Sequence, residues 1–201
     1  MMKREIQTVT RDGQPIGLRP LCRADRDQLA QTIENFSDHS RYMRFFTGAR
    51  HLPDHVIDKL VDVDNSHHIG WGAFEETDGE MRTIGGCHAM RSDDRPEAEL
   101  AFGVMDEFHG QGVARMLIAA VVHDCARMGI KTLLADTLSE NRNAARLLRV
   151  IGGYCCEAED GIYTFRVDVR EAERRLRQMT TLKGLRDVFH DLDAEDVLRA
   201  A

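Results

Sequence analysis

No apolar run in this 201-residue chain approaches the roughly 20 residues of a membrane span. No apolar core follows Met1-Met2-Lys3-Arg4-Glu5, so the N-terminus does not read as a signal peptide. A basic excess is also missing. The net charge of −7 argues against a general nucleic-acid binder, which would show a basic face, and suits a cationic ligand such as a lysine side chain or a polyamine. The five cysteines (Cys22, Cys87, Cys125, Cys155 and Cys156) are odd in number and contain no C-x-x-C, which excludes a disulfide framework or a zinc knuckle. Reduced thiols fit a cytoplasmic setting. The histidines offer no metal site. His67 and His68 are neighbours on a strand and point to opposite faces, and His51 and His55 lack a third ligand, with Pro53 between them. Internal repeats and low-complexity linkers are absent, so the length implies one domain or one domain with an appendage.

What is present is an α/β pattern. After a polar start with a turn at Asp12-Gly13-Gln14-Pro15, Ile16 to Leu21 reads as a first strand. Leu29, Ile33 and Phe36 mark an amphipathic helix over 25–36, and Ser37 suits the cap of a second. That helix ends in an aromatic cluster, Tyr42, Phe45 and Phe46, which suits either core packing or a substrate groove. Pro53 opens a third helix through Val61. Ser66–Phe74, Met81–Met90 and Glu97–Val104 form an antiparallel meander, with Gly85-Gly86 marking a bulge. The stretch Val104 to Arg115 then reads as strand, glycine loop and helix, the helix running to about Met128. Gly110 and Gly112 allow close approach to the backbone, and the unpaired first-turn amides make an anion site. It carries neither the Lys-Ser/Thr of a P-loop nor the G-x-G-x-x-G of a dinucleotide fold. Thr132–Thr137 follows as a strand parallel to 97–104. A helix over 139–150 and a hairpin of Tyr154–Glu157 with Ile162–Val167 complete a domain spanning 1–168. Residues 169–201 read as a helical extension that packs on this domain or meets a partner, a possible homodimer contact.

This order resembles the GCN5-related N-acetyltransferases (GNAT). The family signature [Q/R]-x-x-G-x-[G/A] is similar to His109-Gly110-Gln111-Gly112-Val113-Ala114, with His109 standing where Gln or Arg is usual. A second segment, N-x-x-A-x-x-L with a glycine beyond, is matched by Asn141, Ala144, Leu147 and Gly152. Arg41-Tyr42-Met43-Arg44-Phe45-Phe46, Ala98-Glu99-Leu100-Ala101 and Asp136 to Asn141 look like bacterial protein lysine acetyltransferases of the Pat type. The resemblance covers about residues 14–168. It implies a mixed, mostly antiparallel sheet whose central parallel pair splays around acetyl-CoA, with helices on both faces and no metal.

The implied reaction is acetyl transfer from acetyl-CoA to a primary amine, a protein lysine in the narrower resemblance. A lysine amine, with a pKa of about 10.4, is protonated at neutral pH and cannot attack a thioester until a base removes a proton. Glu99 is the expected base, gaining basicity if its strand withdraws it from water, and Glu97 is the reserve. Val104 is expected to act through its backbone, clamping the pantetheine arm and polarising the acetyl carbonyl, with Phe102 alongside. Residues 109–115 (His109, Gly110, Gln111, Gly112, Val113, Ala114 and Arg115) are expected to cradle the pyrophosphate, His109 giving pH-dependent help. Asn141 is expected to bind pantetheine, cap its helix, or both. Leu148 replaces a tyrosine that often protonates the thiolate, leaving Tyr154, Tyr163 or solvent to do so. The rival readings are a small-amine acetyltransferase, a CoA-binding regulatory module without turnover, and a scaffold using its helical extension.

Overall fold

The computed structural model describes residues 5–77, 79–91, 96–179 and 181–200. The expected turn around Asp78, the loop at 92–95 and the first four residues therefore lie outside the described residues in whole or part. In chain order the elements are β1 (Ile6–Val9), β2 (Pro15–Pro20), α1 (Arg26–Glu34), α2 (Asp38–Phe45), α3 (Asp54–Val61), β3 (His68–Thr77), β4 (Glu80–Met90) and β5 (Glu97–Val104). There follow α4 (Val113–Arg127), β6 (Thr132–Leu138), α5 (Arg142–Val150), β7 (Tyr154–Glu159), β8 (Ile162–Asp168), α6 (Val169–Arg177) and α7 (Lys183–Ala200). The strands form one sheet in the order β1-β2-β3-β4-β5-β6-β8-β7.

The meander forms as the alternation predicts. Ile69, Trp71 and Ala73 of β3, Cys87 and Ala89 of β4, and Ala98 and Leu100 of β5 are buried. They pack in one core with α4, whose Asp124 accepts a 2.8 Å hydrogen bond from the Trp71 indole. The opposite face is covered by α1 and α3, whose Leu29, Ile33, Ile57, Leu60 and Val61 form a second, smaller core. The bulge falls beside Gly85: Ala73 pairs with Gly85 but Phe74 with Thr83, leaving Ile84 as the extra residue. The strand β1 is an addition to the expected pattern. Only Ile6 and Thr8 of its four residues point inward, too short an alternation to read, and pairing with β2 from Ile6↔Leu18 to Val9↔Pro15 supplies the rest.

Eleven of the 15 residues of α4 are buried, more than one face of a helix can hide against a sheet. The extra cover comes from the C-terminal segment. Val169, Ala172 and Leu176 of α6, with Leu185, Val188 and Leu192 of α7, belong to the same core as α4. Gly184 lets α7 approach β1, since a Cβ there would overlap the Val9 carbonyl oxygen. Thr8 Oγ1 donates to the Gly184 carbonyl at 3.0 Å across the same contact. The extension is thus built into the domain. Among the described residues no helix is long and apolar enough to cross a membrane.

Candidate active site

Among the described residues the sheet has one parallel pair, and it is short. β5 and β6 pair at Glu97↔Thr132, Ala98↔Leu133 and Glu99↔Leu134, and then separate. β5 continues along β4 as far as Val104↔Gly85, and β6 continues along β8 to Leu138↔Ile162. Between them opens a cavity of about 620 Å³, walled by Leu100 to Val104 and by Ala135 to Thr137. Met105 N–H donates to the Ile84 carbonyl on the β4 side at 2.9 Å. Because strand amides alternate in direction, the amides of Val104 and Phe102 face the fork, where β6 offers no partner. That is an edge which an extended chain of alternating donors and acceptors can complete.

The fork runs into the start of α4. Gly110 and Gly112 have φ of +77° and +93°, values that favour glycine, and a Cβ on Gly110 would meet nothing within 4 Å. Gly112 caps α4 with no side chain. The Arg115 N–H turns back to the Gly112 carbonyl at 3.0 Å, so the amides of Val113 and Ala114, with the positive end of the helix dipole, are the ones left to an anion. Of the expected ligand-binding positions, 102, 104, 109, 110, 112–115 and 141 line this cavity. Gln111 is not part of its wall; its carbonyl accepts the Arg11 N–H at 2.9 Å.

Three expected residues acquire definite local roles. The His109 Nε2 lies 2.9 Å from the Val104 carbonyl oxygen, so this nitrogen carries the proton and donates. The ring locks the end of β5 to the glycine loop, and only Nδ1 is left for a ligand. Asn141 caps α5, its Oδ1 accepting the Ala144 N–H at 3.0 Å, which leaves its amide NH2 as a donor in the cavity. Leu148 is buried in the cavity wall, and neither Tyr154 nor Tyr163 lines that wall. Of the aromatic cluster, Phe46 lines the cavity and Phe45 packs against the core.

Arginines at the site were not anticipated, apart from Arg115. Arg11, from the β1–β2 turn, and Arg146, from α5, line the cavity together with Arg115. Burial, then the nearby charges of Arg11 and Arg146, lower the Arg115 pKa, and its Nε is buried without a hydrogen-bond partner. Three like charges gathered around a glycine loop attract anions to that end of the cavity.

Glu99 sits where the fork closes. It lines the large cavity and also a second one of about 480 Å³, walled by α3, β3, β4 and β5 and including Asp62, His68 and Arg91. No other described residue lines both. Its side chain is exposed in the free protein, against the expectation that the strand itself withdraws it from water. Glu97, the reserve, is engaged by Arg166 at 2.8 Å. On the same face of the sheet, His68 Nδ1 donates to the Asp62 carbonyl at 3.1 Å, so in the neutral pair His88 Nδ1 must donate to His68 Nε2 at 3.0 Å. Burial lowers the pKa of both rings, that of His88 strongly, which keeps the pair neutral. Among the described residues no group of three or more His, Cys, Asp or Glu could hold a metal ion.

A sheet whose one described parallel pair forks beside a glycine loop and helix N-terminus defines the class of protein: an acyltransferase fold. Comparison with known proteins gives the family. The chain belongs to the GNAT acetyltransferases, the acetyltransferase (GNAT) domain matching residues 16–153. A curated acetyltransferase of Pseudomonas aeruginosa is 25% identical over 141 residues, covering 70% of this chain and 76% of that protein. The acetyltransferase Pat of Mycolicibacterium smegmatis is 24% identical over 168 residues, which is 82% of this chain but 49% of that longer protein. The crystal structure of the GNAT domain of S. lividans PAT superposes with a TM-score of 0.74 at 26% identity, over 82% of this chain and 96% of that one.

Proposed function

We propose that the chain transfers the acetyl group of acetyl-CoA to the ε-amine of a protein lysine, with Glu99 as general base. The observation that carries this reading is that Glu99, alone among the described residues, lines both cavities. The fork offers an unpaired strand edge to an extended thioester, and its α2 end together with the second cavity leaves Glu99 open to an acceptor. The likeness to Pat-type enzymes favours lysine over a small amine.

Acetyl-CoA supplies the activated acetyl group when bound. The chain's own residues do the rest. The Phe102 and Val104 backbone holds the pantetheine arm as an added strand, and the Val104 N–H polarises the acetyl carbonyl. The amides of Gly112, Val113 and Ala114 at the start of α4, with Arg11, Arg115 and Arg146, hold the phosphates. The Asn141 amide donates to the arm. Glu99 takes the proton from the acceptor ammonium. Its exposure in the free protein means that water leaves it only when donor and acceptor close over it from both sides, so its basicity rises in the ternary complex. With leucine at 148, solvent protonates the departing thiolate.

The test is thiol release from acetyl-CoA with lysine peptides, polyamines and small amines as acceptors. Turnover on lysine peptides is the expected result. Turnover confined to a small amine would move the enzyme to the rival class, and an acetyl-CoA-dependent rise in melting temperature with no turnover would make it a sensor.

A further inference from the structure

The charges around Glu99 divide by whether the protein satisfies them. In the second cavity the carboxylates other than Glu99 are engaged: Asp62 lies 2.7 Å from Arg23, and Glu97 lies 2.8 Å from Arg166. The cations there, Lys59 and Arg91, make no ion pair with any described residue. In the fork the same holds for Arg44. It projects from α2 and crosses the α2-facing side of β5, its Cγ 3.4 Å from where a Cβ on Gly103 would stand. Its guanidinium lies 4.7 Å from the Phe45 ring centroid, and no described carboxylate comes within ion-pair distance. Burial lowers its pKa to about 10, partly offset by the charges of Cys87 and Glu99.

The helix that presents Arg44 is fixed. Arg41, one turn earlier, is buried and bonded to the Phe36 carbonyl at 2.9 Å and to Asp38. Asp106 accepts from the Ser37 and Ser40 hydroxyls at 2.8 and 2.7 Å, tying the start of α2 to the loop after β5. The protein therefore holds a half-buried guanidinium in the cavity, close enough to Glu99 to feel its charge, yet forms no bond between the two. A cation partly withdrawn from water without a counterion is unfavourable unless a ligand supplies one.

We infer that the acceptor lysine is recognised together with an acidic side chain near it in the substrate, the ammonium going to Glu99 and the carboxylate to Arg44. Lys59, exposed on α3 at the rim of the second cavity, adds a further cation on the side of β5 where Glu99 is open. This rests on the lysine reading above.

The experiment uses the full chain and paired peptides, identical except that the residues flanking the lysine are Asp and Glu in one and Asn and Gln in the other. The acid-flanked peptide should show a kcat/KM at least about tenfold higher, as a charge-assisted guanidinium–carboxylate pair supplies. In Arg44→Gln, assayed at saturating acetyl-CoA because Arg44 also lines the donor cavity, that ratio should fall to within about twofold of unity. A ratio near one in the wild type, or a ratio unchanged in Arg44→Gln, overturns the inference and leaves the lysine reading standing. If Arg44→Gln does not fold, Lys59→Glu at its exposed position on α3 should lower the same ratio at least about threefold, and an unchanged ratio overturns the inference. If neither peptide is acetylated while a small amine is, the lysine reading fails and takes this one with it.

Discussion

Replacing Arg146 with glutamine separates a ligand-binding charge from a structural one. Arg11, Arg115 and Arg146 gather around the glycine loop, and the first and last help to lower the pKa of Arg115, which is to say they repel it. Removing one of three like charges relieves that repulsion, so the melting temperature of the free protein should hold or rise. Binding of CoA should weaken instead. A hydrogen bond to a charged group contributes about 1.5–3 kcal/mol, and 1.4 kcal/mol is about tenfold in affinity. Arg146 is exposed, which screens its charge, so the low end applies and a loss of about tenfold is expected. Arg115, half-buried, should cost nearer a hundredfold as Arg115→Gln. Calorimetric titration of CoA at two ionic strengths reads both quantities, and the salt dependence should become shallower in either variant. A Kd within twofold of wild type, or a fall in the free protein's melting temperature, would show that these arginines are not a phosphate receptor.

Other outcomes follow from the same geometry. Gly112→Ala places a Cβ at φ +93° with only ordinary contacts near Leu182, so its stability cost is the backbone strain alone, about 1–2 kcal/mol by denaturant titration. A near-zero cost would mean the loop is not held in that conformation. Leu185→Ala on α7 should cost about 2–5 kcal/mol and leave a single unfolding transition, since Leu185 shares the core of α4, whereas two transitions would show an independent extension. Asp64 Oδ1 accepts the N–H groups of Ser66, His67 and His68, each at 2.8 Å. Burial opposes ionisation there, but these bonds win and hold its carboxyl well below the usual range. A depressed folded-state pKa contributes stability that is complete above the unfolded value of about 3.9 and is lost as pH falls through the folded one. Asp64→Asn should therefore flatten the acid limb of the melting-temperature profile below about pH 4, and an unchanged limb would remove Asp64 as its cause.

Much of this architecture was legible in the sequence because it depends on local patterns. The alternation of 97–104, the stripe from Val113 to Cys125 and the glycines that close α4 and α5 each specify an element without help from distant residues. Gly110 and Gly112 announce a close approach for the same reason. What could not be read depends on long-range placement. Arg11 and Arg146 look like any solvated arginine until the β1–β2 turn is bonded to Gln111 and α5 is laid beside the fork. The apolar spacing of α7 could equally have faced a partner, and only Gly184 against Val9 shows which side it takes. His109 and Glu99 were found as residues, but their surroundings were not. One is turned to the Val104 carbonyl, and the other is left in water until its substrates arrive.

The assignment of Glu99 as the base that removes the acceptor's proton rests on its place at the closed end of the fork. It is tested most directly by measuring, for Glu99→Gln, both the acetylation rate on a lysine peptide and the Kd for acetyl-CoA, with Glu97→Gln alongside. General base catalysis is worth about 10²–10⁴-fold, so kcat should fall at least a hundredfold in Glu99→Gln while the Kd is unchanged. Glu97→Gln, which loses only the bridge to Arg166, should stay within a few-fold of wild type. A Glu99→Gln enzyme that retains its rate, or a Glu97→Gln enzyme that loses it, would remove Glu99 as the base.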